Sequence, residues 1–390
     1  MKYDFTNILN RRESDSIKWD VDENTLPMWI ADMDFKVAPC ITKALLDRVN
    51  HPIYGYSKFD EEFKNAYHRF YLDRHHFDIK NEWMFFSTGV VPTISSSVRK
   101  ISKEGDNIVV LSPVYNIFYN SIVNNNRNIL QVPLLYQDFK YEIDWINLEK
   151  AFSLEKTSMM ILCNPANPVS KIWNRYELER IGYLAKKYNV VVLSDEIHAQ
   201  LVRPNKEYIP FLSVNDINKE VGIMAVSTSK AFNMAGIQSS MVVIANESLR
   251  KKVERQLNTD ECAEPNIFAQ VSAIAALNDG REWLDEVRKV IFDNRDLVND
   301  FINEKIPSLH LVNGDATYLL WIDISSLGLD SETFTARLRK ETGLFLNPGK
   351  EYGGNGEKFV RMNVATSKDN VLLALKKLNQ FVDLLLNEKK

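Results

Sequence analysis

The stretch Ile223-Met224-Ala225-Val226-Ser227-Thr228-Ser229-Lys230-Ala231-Phe232-Asn233 decides how the chain is read. Four apolar residues give way to three hydroxyl side chains and then a lysine. A short continuous apolar run suits a strand buried on both faces of a parallel sheet. Polar residues just past such a strand lie at its carboxyl end, where open α/β sheets keep their ligand sites. A lysine held there is a candidate amine nucleophile. One lysine opening a helix after a strand is nevertheless a common structural feature, and alone it proves no chemistry.

The same pattern recurs on both sides of this stretch. Apolar runs fall at 108–111 before Ser-Pro, 159–163 before Asn-Pro, 190–193 before Ser-Asp-Glu, and 241–244. Between them, 176–188 has Leu178, Ile181 and Leu184 on one helical face and Glu177, Arg180 and Lys187 on another. Strands alternating with helices predict a doubly wound α/β domain. After about residue 278 the pattern changes. A helix over 281–305, a strand over 318–324, a helix around 332–341, a strand over 359–364 and a helix over 368–387 predict a smaller α+β domain. The expected division is an N-terminal arm with part of the small domain (1–45), a large domain (46–280) and a C-terminal small domain (281–390).

Composition bounds the class. With 390 residues, 45% hydrophobic and 26% charged, the chain suits a globular protein of two domains. A net charge of −4 gives no reason to expect nucleic acid or an anionic membrane as partner. The first sixteen residues carry Lys2, Asp4, Arg11, Arg12, Glu13 and Asp15, with no apolar run of signal-peptide or membrane-spanning kind. Cys40, Cys163 and Cys262 lack metal-ligand spacing and read as free thiols. A cytoplasmic location is expected. His75-His76 cannot share one helix face, so a surface pair is expected there and no metal site.

Two further signatures follow predicted strands: Cys163-Asn164-Pro165-Ala166-Asn167-Pro168 and Ser194-Asp195-Glu196-Ile197-His198. Prolines bracketing an asparagine force an irregular turn that fixes the Asn side chain. Each motif alone has an ordinary structural reading. All three, in this order and each after a buried strand, resemble the pyridoxal-phosphate (PLP) site of fold-type I enzymes, over essentially the whole chain. Leu26-Pro27-Met28-Trp29-Ile30-Ala31-Asp32-Met33-Asp34-Phe35, with Tyr54-Gly55-Tyr56 and Asp195-Glu196-Ile197-His198, resembles more narrowly the MalY/PatB type of cystathionine β-lyases (C–S lyases).

That resemblance implies an aspartate-aminotransferase-like fold and a set of roles. Lys230 binds the cofactor covalently and shuttles the α-proton. Asp195 pairs with the pyridine nitrogen, and Asn167 bonds the ring's phenolic oxygen. Tyr115 stacks on the ring. His198 stands where many relatives outside this branch carry Tyr, and packing is its competing reading. Gly89, Val90 and Val91, opening a helix, form the phosphate site with help from Ser227 and Ser229. Arg361 clamps the substrate carboxylate as a two-pronged fork, and Ala31 and Asn167 also touch substrate. Tyr56 reaches into the neighbouring subunit's site, which implies a homodimer with a composite active site. Two departures stand out. Gln238 occupies a position where many aminotransferases have Arg, and Ser170 follows the Asn-Pro turn where Gly is usual, so a slightly different turn is expected there. The implied reaction is β-elimination from a sulfur amino acid such as cystathionine or cysteine, giving a thiol or sulfide, ammonia and pyruvate. An aminotransferase and a PLP-binding regulatory protein are the alternatives.

Overall fold

The computed structural model describes residues 1–388. The arm contributes β1 (Leu26–Pro27). The large sheet draws on β2 (Met84–Ser87), β3 (Asn107–Ser112) and β4 (Asn128–Pro133). A hairpin of β5 (Leu135–Gln137) and β6 (Lys140–Glu142) intervenes. The sheet then resumes with β7 (Thr157–Cys163), β8 (Val191–Asp195), β9 (Gly222–Val226) and β10 (Ser240–Val243). Its order is β2-β10-β9-β8-β7-β3-β4. The pairs from β4 through β9 are parallel, and β10 alone runs against both neighbours. The carboxyl ends of β2, β3, β7, β8 and β9 therefore share one edge.

The apolar runs read from the sequence are strands at β3, β7, β8, β9 and β10. The last is antiparallel, which an apolar run cannot reveal, because burial on both faces looks alike in either direction. Two strands of this sheet escaped the sequence reading. β2 is only four residues long, and β4 is an edge strand with exposed Asn128 and Gln131, so neither gives a long apolar signal.

Helices cover both faces of the sheet. Helix Arg175–Lys187 opens with a reciprocal cap: Asn174 accepts from the Glu177 N–H while the Glu177 carboxylate accepts from the Asn174 N–H. Its Leu178, Ile181, Leu184 and Ala185 are buried, as the spacing requires. Glycine at position 280 separates helix Ala269–Asp279 from the long helix Arg281–Lys305.

That long helix leads to a second sheet. β11 (His310–Leu311), β12 (Leu319–Asp323), β14 (Asn347–Pro348) and β15 (Phe359–Asn363) are joined in the order β11-β12-β15-β14, and β13 (Leu344–Phe345) pairs instead with β1 in parallel. Helix Ser331–Thr342 packs on β14 and β15, and helix Lys368–Glu388 packs on β13 and on helices Ser331–Thr342 and Arg281–Lys305. The boundary expected after residue 45 falls inside helix Pro39–Val49, which packs against Ala269–Asp279. No helix among the described residues is long and apolar enough to cross a membrane.

Candidate active site

Five strand ends meet around one cavity of about 300 Å³, a size typical of small-molecule sites. Ten of the expected residues line it: Ala31, Gly89, Val90, Val91, Tyr115, Asn167, Asp195, His198, Ser229 and Lys230. Thr88, Pro92, Cys163, Ile197, Ala235 and Gln238 complete the wall.

Lys230 stands on a tight turn just beyond β9. Ser227 Oγ donates to Ser239 O at 2.6 Å, accepts from the Ser229 N–H at 3.0 Å, and lies 2.8 Å from Ser229 Oγ. Ser227 thus braces the turn from behind while Ser229 faces the cavity. Asn233, three residues on, clasps the N-terminal motif: Oδ1 accepts from Met33 N–H, and Nδ2 donates to Met33 O and Phe35 O. From the other side, Asn363 Nδ2 donates to Ile30 O and Asp32 O, at 2.6 and 2.7 Å. The carbonyl of Ala31, held between them, accepts from Lys230 Nζ at 2.6 Å and from Tyr318 Oη at 3.0 Å.

The electrostatics suit amine chemistry. Burial draws the Lys230 pKa down to about 8, with Asp32 and Asp195 opposing and Arg361 assisting. A lysine so desolvated is a competent nucleophile and base near neutral pH. Asp195 is buried at the end of β8, and burial pushes its carboxyl up to about 7 against the Ile197 N–H bond and the Lys230 charge. A buried carboxyl in that condition invites a cationic partner.

His198 is fully buried and drawn down to about 3, first by burial and then by the charges of Lys230 and Arg361, so its imidazole is neutral. Its ring meets Tyr318 edge-to-face at 6.1 Å, yet its Nδ1 has no hydrogen-bond partner. A packing histidine with every polar atom satisfied would not look like this.

Arg361 lies behind Asn167. Its Nη1 donates to Asn167 Oδ1 at 3.3 Å, and Nη2 donates to Trp29 O at 3.0 Å and Asn347 Oδ1 at 3.1 Å. The guanidinium carbon sits 4.9 Å from the Tyr352 ring centre. Its buried Nε has no partner. Tyr115, half-buried, makes an edge contact with Phe118 at 5.8 Å.

Gly89 to Val91 open helix Val90–Ile101, whose first N–H groups have no acceptor within the helix. Gln238, in the left-handed region at φ 56°, stands beside them. Lys230 is the one lysine or arginine among the described lining residues, so the helix terminus and hydroxyls form a largely neutral anion cup.

Tyr56 is elsewhere. It is 103% exposed, on an irregular segment outside this chain's cavity. Ser170, where a different turn was expected, takes the left-handed conformation a glycine would, at φ 56°, with Oγ donating to Leu319 O at 2.8 Å. His75, expected at the surface, is half-buried against Gln200 and Tyr208.

Four supporting residues were not singled out from the sequence: Tyr318, Asn233, Asn347 and Asn363. Strand alternation could have found Asn363, since it shares a face of β15 with Arg361. Tyr318 is indistinguishable from the apolar strand that follows it.

The donor set suits pyridoxal phosphate. A buried amine, a buried carboxyl, an aromatic wall and an anion cup surround one cavity; His198 Nδ1 in its wall is orphaned, as is the Nε of Arg361, which stands behind the lining against Asn167. The family model described as aminotransferase class I and II matches residues 24–378. The chain belongs to this family. Within it, the chain is 36% identical to the cystathionine beta-lyase PatB of Bacillus subtilis, covering 92% of this chain and 94% of that one. It is 30% identical to the protein MalY of Escherichia coli, covering 95% and 96%. Among solved structures, the cystalysin of Treponema denticola, which contains pyridoxal 5′-phosphate, superposes with a TM-score of 0.96 at 30% identity, over 99% of this chain and all of that one. The aminotransferase fold expected from the motifs is the fold of this chain.

Proposed function

We propose that the chain is a PLP-dependent carbon–sulfur β-lyase that cleaves a sulfur amino acid such as L-cystathionine. The net reaction takes up one water and yields homocysteine, pyruvate and ammonia. One observation carries the reading: the lyase-like motif from Leu26 to Phe35 roofs the lysine, with Ala31 O bonded to Lys230 Nζ and Trp29 O bonded to Arg361. The part of the sequence most like the lyases is thus the part that meets both substrate-handling groups. Identity with PatB across nearly the whole chain agrees with it.

When bound, PLP supplies a sink for the electron pair left as the α-proton departs. The protein's own residues do the rest. Lys230 anchors the cofactor and, as a neutral amine, takes the proton from Cα. Asp195 would pair with the ring nitrogen and favour its protonated form. Asn167 and neutral His198 would offer the ring polar contacts, Tyr115 would pack against it, and Gly89 to Val91 with Ser229 would hold the phosphate. Arg361 forks the substrate carboxylate, using the Nε that has no other partner. Holding the carboxylate would fix rotation about the N–Cα bond and so present the Cα–H bond to Lys230 for proton removal.

The proposal includes a homodimer. Tyr56, too exposed to serve its own cavity, fits the expected role of entering a second copy's site. It also includes a cytoplasmic setting, with which the three free cysteines agree, and a small domain completed by the arm through the β1–β13 pairing. Transamination is the second reading, favoured by the family model itself.

Thiol release from L-cystathionine, followed with a thiol reagent, tests the assignment together with borohydride labelling. The wild type releases thiol and takes the pyridoxyl label on Lys230, and Lys230→Ala does neither. Thiol release by Lys230→Ala, or a label on another lysine, contradicts it.

A further inference from the structure

A second cavity, also about 300 Å³, lies away from the site described above. Four elements converge on it: the end of helix Glu61–His75, the start of helix Arg175–Lys187, the chain from Ala199 to Ser213, and Arg288 of helix Arg281–Lys305. Its wall is strongly cationic. Arg74, Arg175, Lys206 and Arg288 line it, with His75 and His76 beside them, and Glu207 is the one carboxylate among the described lining residues.

The cations are under-compensated. Arg74 and Arg288 share Asp285, at 2.5 and 3.1 Å. Lys206 reaches Asp315 at 3.4 Å and shares it with Arg203, which is itself also paired with Asp296. Arg175 donates to Val214 O and has no ion pair among the described residues. Net positive charge therefore remains even after Glu207 and Asp285 are counted. The field is felt locally: burial, then the charges of Arg74, Arg288 and His76, draws His75 down to about 4 despite its bond to Gln200. At the end of helix Glu61–His75 the His76 and Phe77 N–H groups cap Leu72 O and Tyr71 O.

An unused donor marks the same cavity. Gln200 is only 8% exposed and lines the wall. Its Oε1 lies 3.0 Å from His75 Nε2, while its Nε2 has no hydrogen-bond partner. A buried amide left unpaired is costly, and an acceptor in the cavity would recover that cost.

We propose that this cavity is a binding site for a small oxyanion, a metabolite bearing a phosphate or carboxylate group, separate from the substrate site. Arg175, whose Nη1 alone is bonded, to Val214 O, offers a guanidinium fork for such a group, while Arg74 and Arg288, turned toward Asp285, Val202 O and Arg203 O, add positive charge. Arg175 and Lys206, at the exposed rim, draw it in, and the Gln200 amide donates from the floor. The location gives the ligand a route to the catalytic segment. Gln200 is two residues past His198, and Tyr208, also in the wall, donates to Glu196 beside Asp195.

The test is isothermal titration calorimetry of the holoenzyme with inorganic phosphate and, separately, with succinate, at fixed ionic strength in chloride. At least one anion binds saturably, and which one identifies the phosphate or the carboxylate class. Arg175→Gln weakens that binding several-fold, and the Arg74→Gln/Arg175→Gln double variant weakens it at least tenfold. Arg361→Lys, which alters the substrate clamp, leaves it intact. If the double variant melts early, Arg175→Gln alone decides, because Arg175 holds no ion pair whose loss would unfold the chain. Absence of saturable binding by both anions overturns the proposal. So does binding that Arg361→Lys abolishes and Arg175→Gln leaves unchanged.

Discussion

Replacing Arg361 with lysine keeps one positive charge and removes the geometry. In the native chain the guanidinium donates to Asn167 Oδ1, Trp29 O and Asn347 Oδ1, leans on the Tyr352 ring, and keeps Nε free. Those contacts leave it one orientation, so a carboxylate meets a fork already in place. A lysine ammonium, shorter and without the planar fork, can bond the carboxylate at one point but cannot also bond Asn347 and Trp29. Hydrogen bonds to a charged group are worth about 1.5–3 kcal/mol each. Losing one such bond to substrate, plus some of the ordering, gives a penalty of about 2–4 kcal/mol in kcat/KM, or about 30- to 1,000-fold. The assay is pyruvate formation from L-cystathionine, coupled to lactate dehydrogenase, over a range of substrate concentrations. Circular dichroism and a thermal melt confirm that the variant is folded. A folded Arg361→Lys enzyme within threefold of wild-type kcat/KM would refute the clamp and send the search to another cation.

Two further perturbations address assembly and the buried acid beside the site. Tyr56→Phe and Lys230→Ala homodimers are each impaired at both sites, but a mixed dimer carries one site with neither defect, so mixing the two restores activity. No restoration after demonstrated subunit exchange would assign Tyr56 to its own subunit. Burial pushes Glu196 up to about 8, opposed by the Phe211 N–H, Ser194 and Asn164 bonds. With the folded pKa above the unfolded one, the native state binds the extra proton between about pH 4.5 and 8, so this group's contribution to stability falls as pH rises through that window, by at most about 1.4 kcal/mol per unit. Buried Asp195 adds a slope of the same sign, and His75 and His198, with depressed values, add slopes of opposite sign. The Glu196 share is therefore read as a difference: denaturant titrations should find Glu196→Gln gaining on wild type from pH 5 to pH 8. A constant gap between the two would show that Glu196 titrates normally.

Much of this molecule is legible in its sequence, for identifiable reasons. The central strands β7, β8 and β9 are buried on both faces, so they read as uninterrupted apolar runs, and their polar successors mark the cavity edge. The helix Arg281–Lys305 reads to the residue, because a glycine precedes it and its apolar stripe persists for seven turns. The antiparallel direction of β10 leaves no trace in a four-residue apolar run. Edge strand β4 is hidden by its exposed polar residues. At the site, residues that supply chemistry stand in recognisable motifs. Those that hold the motifs, such as Asn233, Tyr318 and Asn363, act through backbone carbonyls some 200 to 330 positions away. No local pattern records such a pairing. Ser170 gives a different lesson: its hydroxyl bond to Leu319 O accompanies a left-handed conformation usually left to glycine.

The central claim is that the chain eliminates a β-thiolate and needs no second substrate. L-Cystathionine as the sole amino acid, with no keto acid present, measures this most directly, with pyruvate, ammonia and homocysteine all quantified from the same reaction. Elimination predicts the three products in equal amounts, accumulating steadily over many turnovers. If sustained turnover instead requires an added keto acid, and an amino acid formed from that keto acid appears in place of free ammonia, the lyase assignment is wrong and the chain is an aminotransferase.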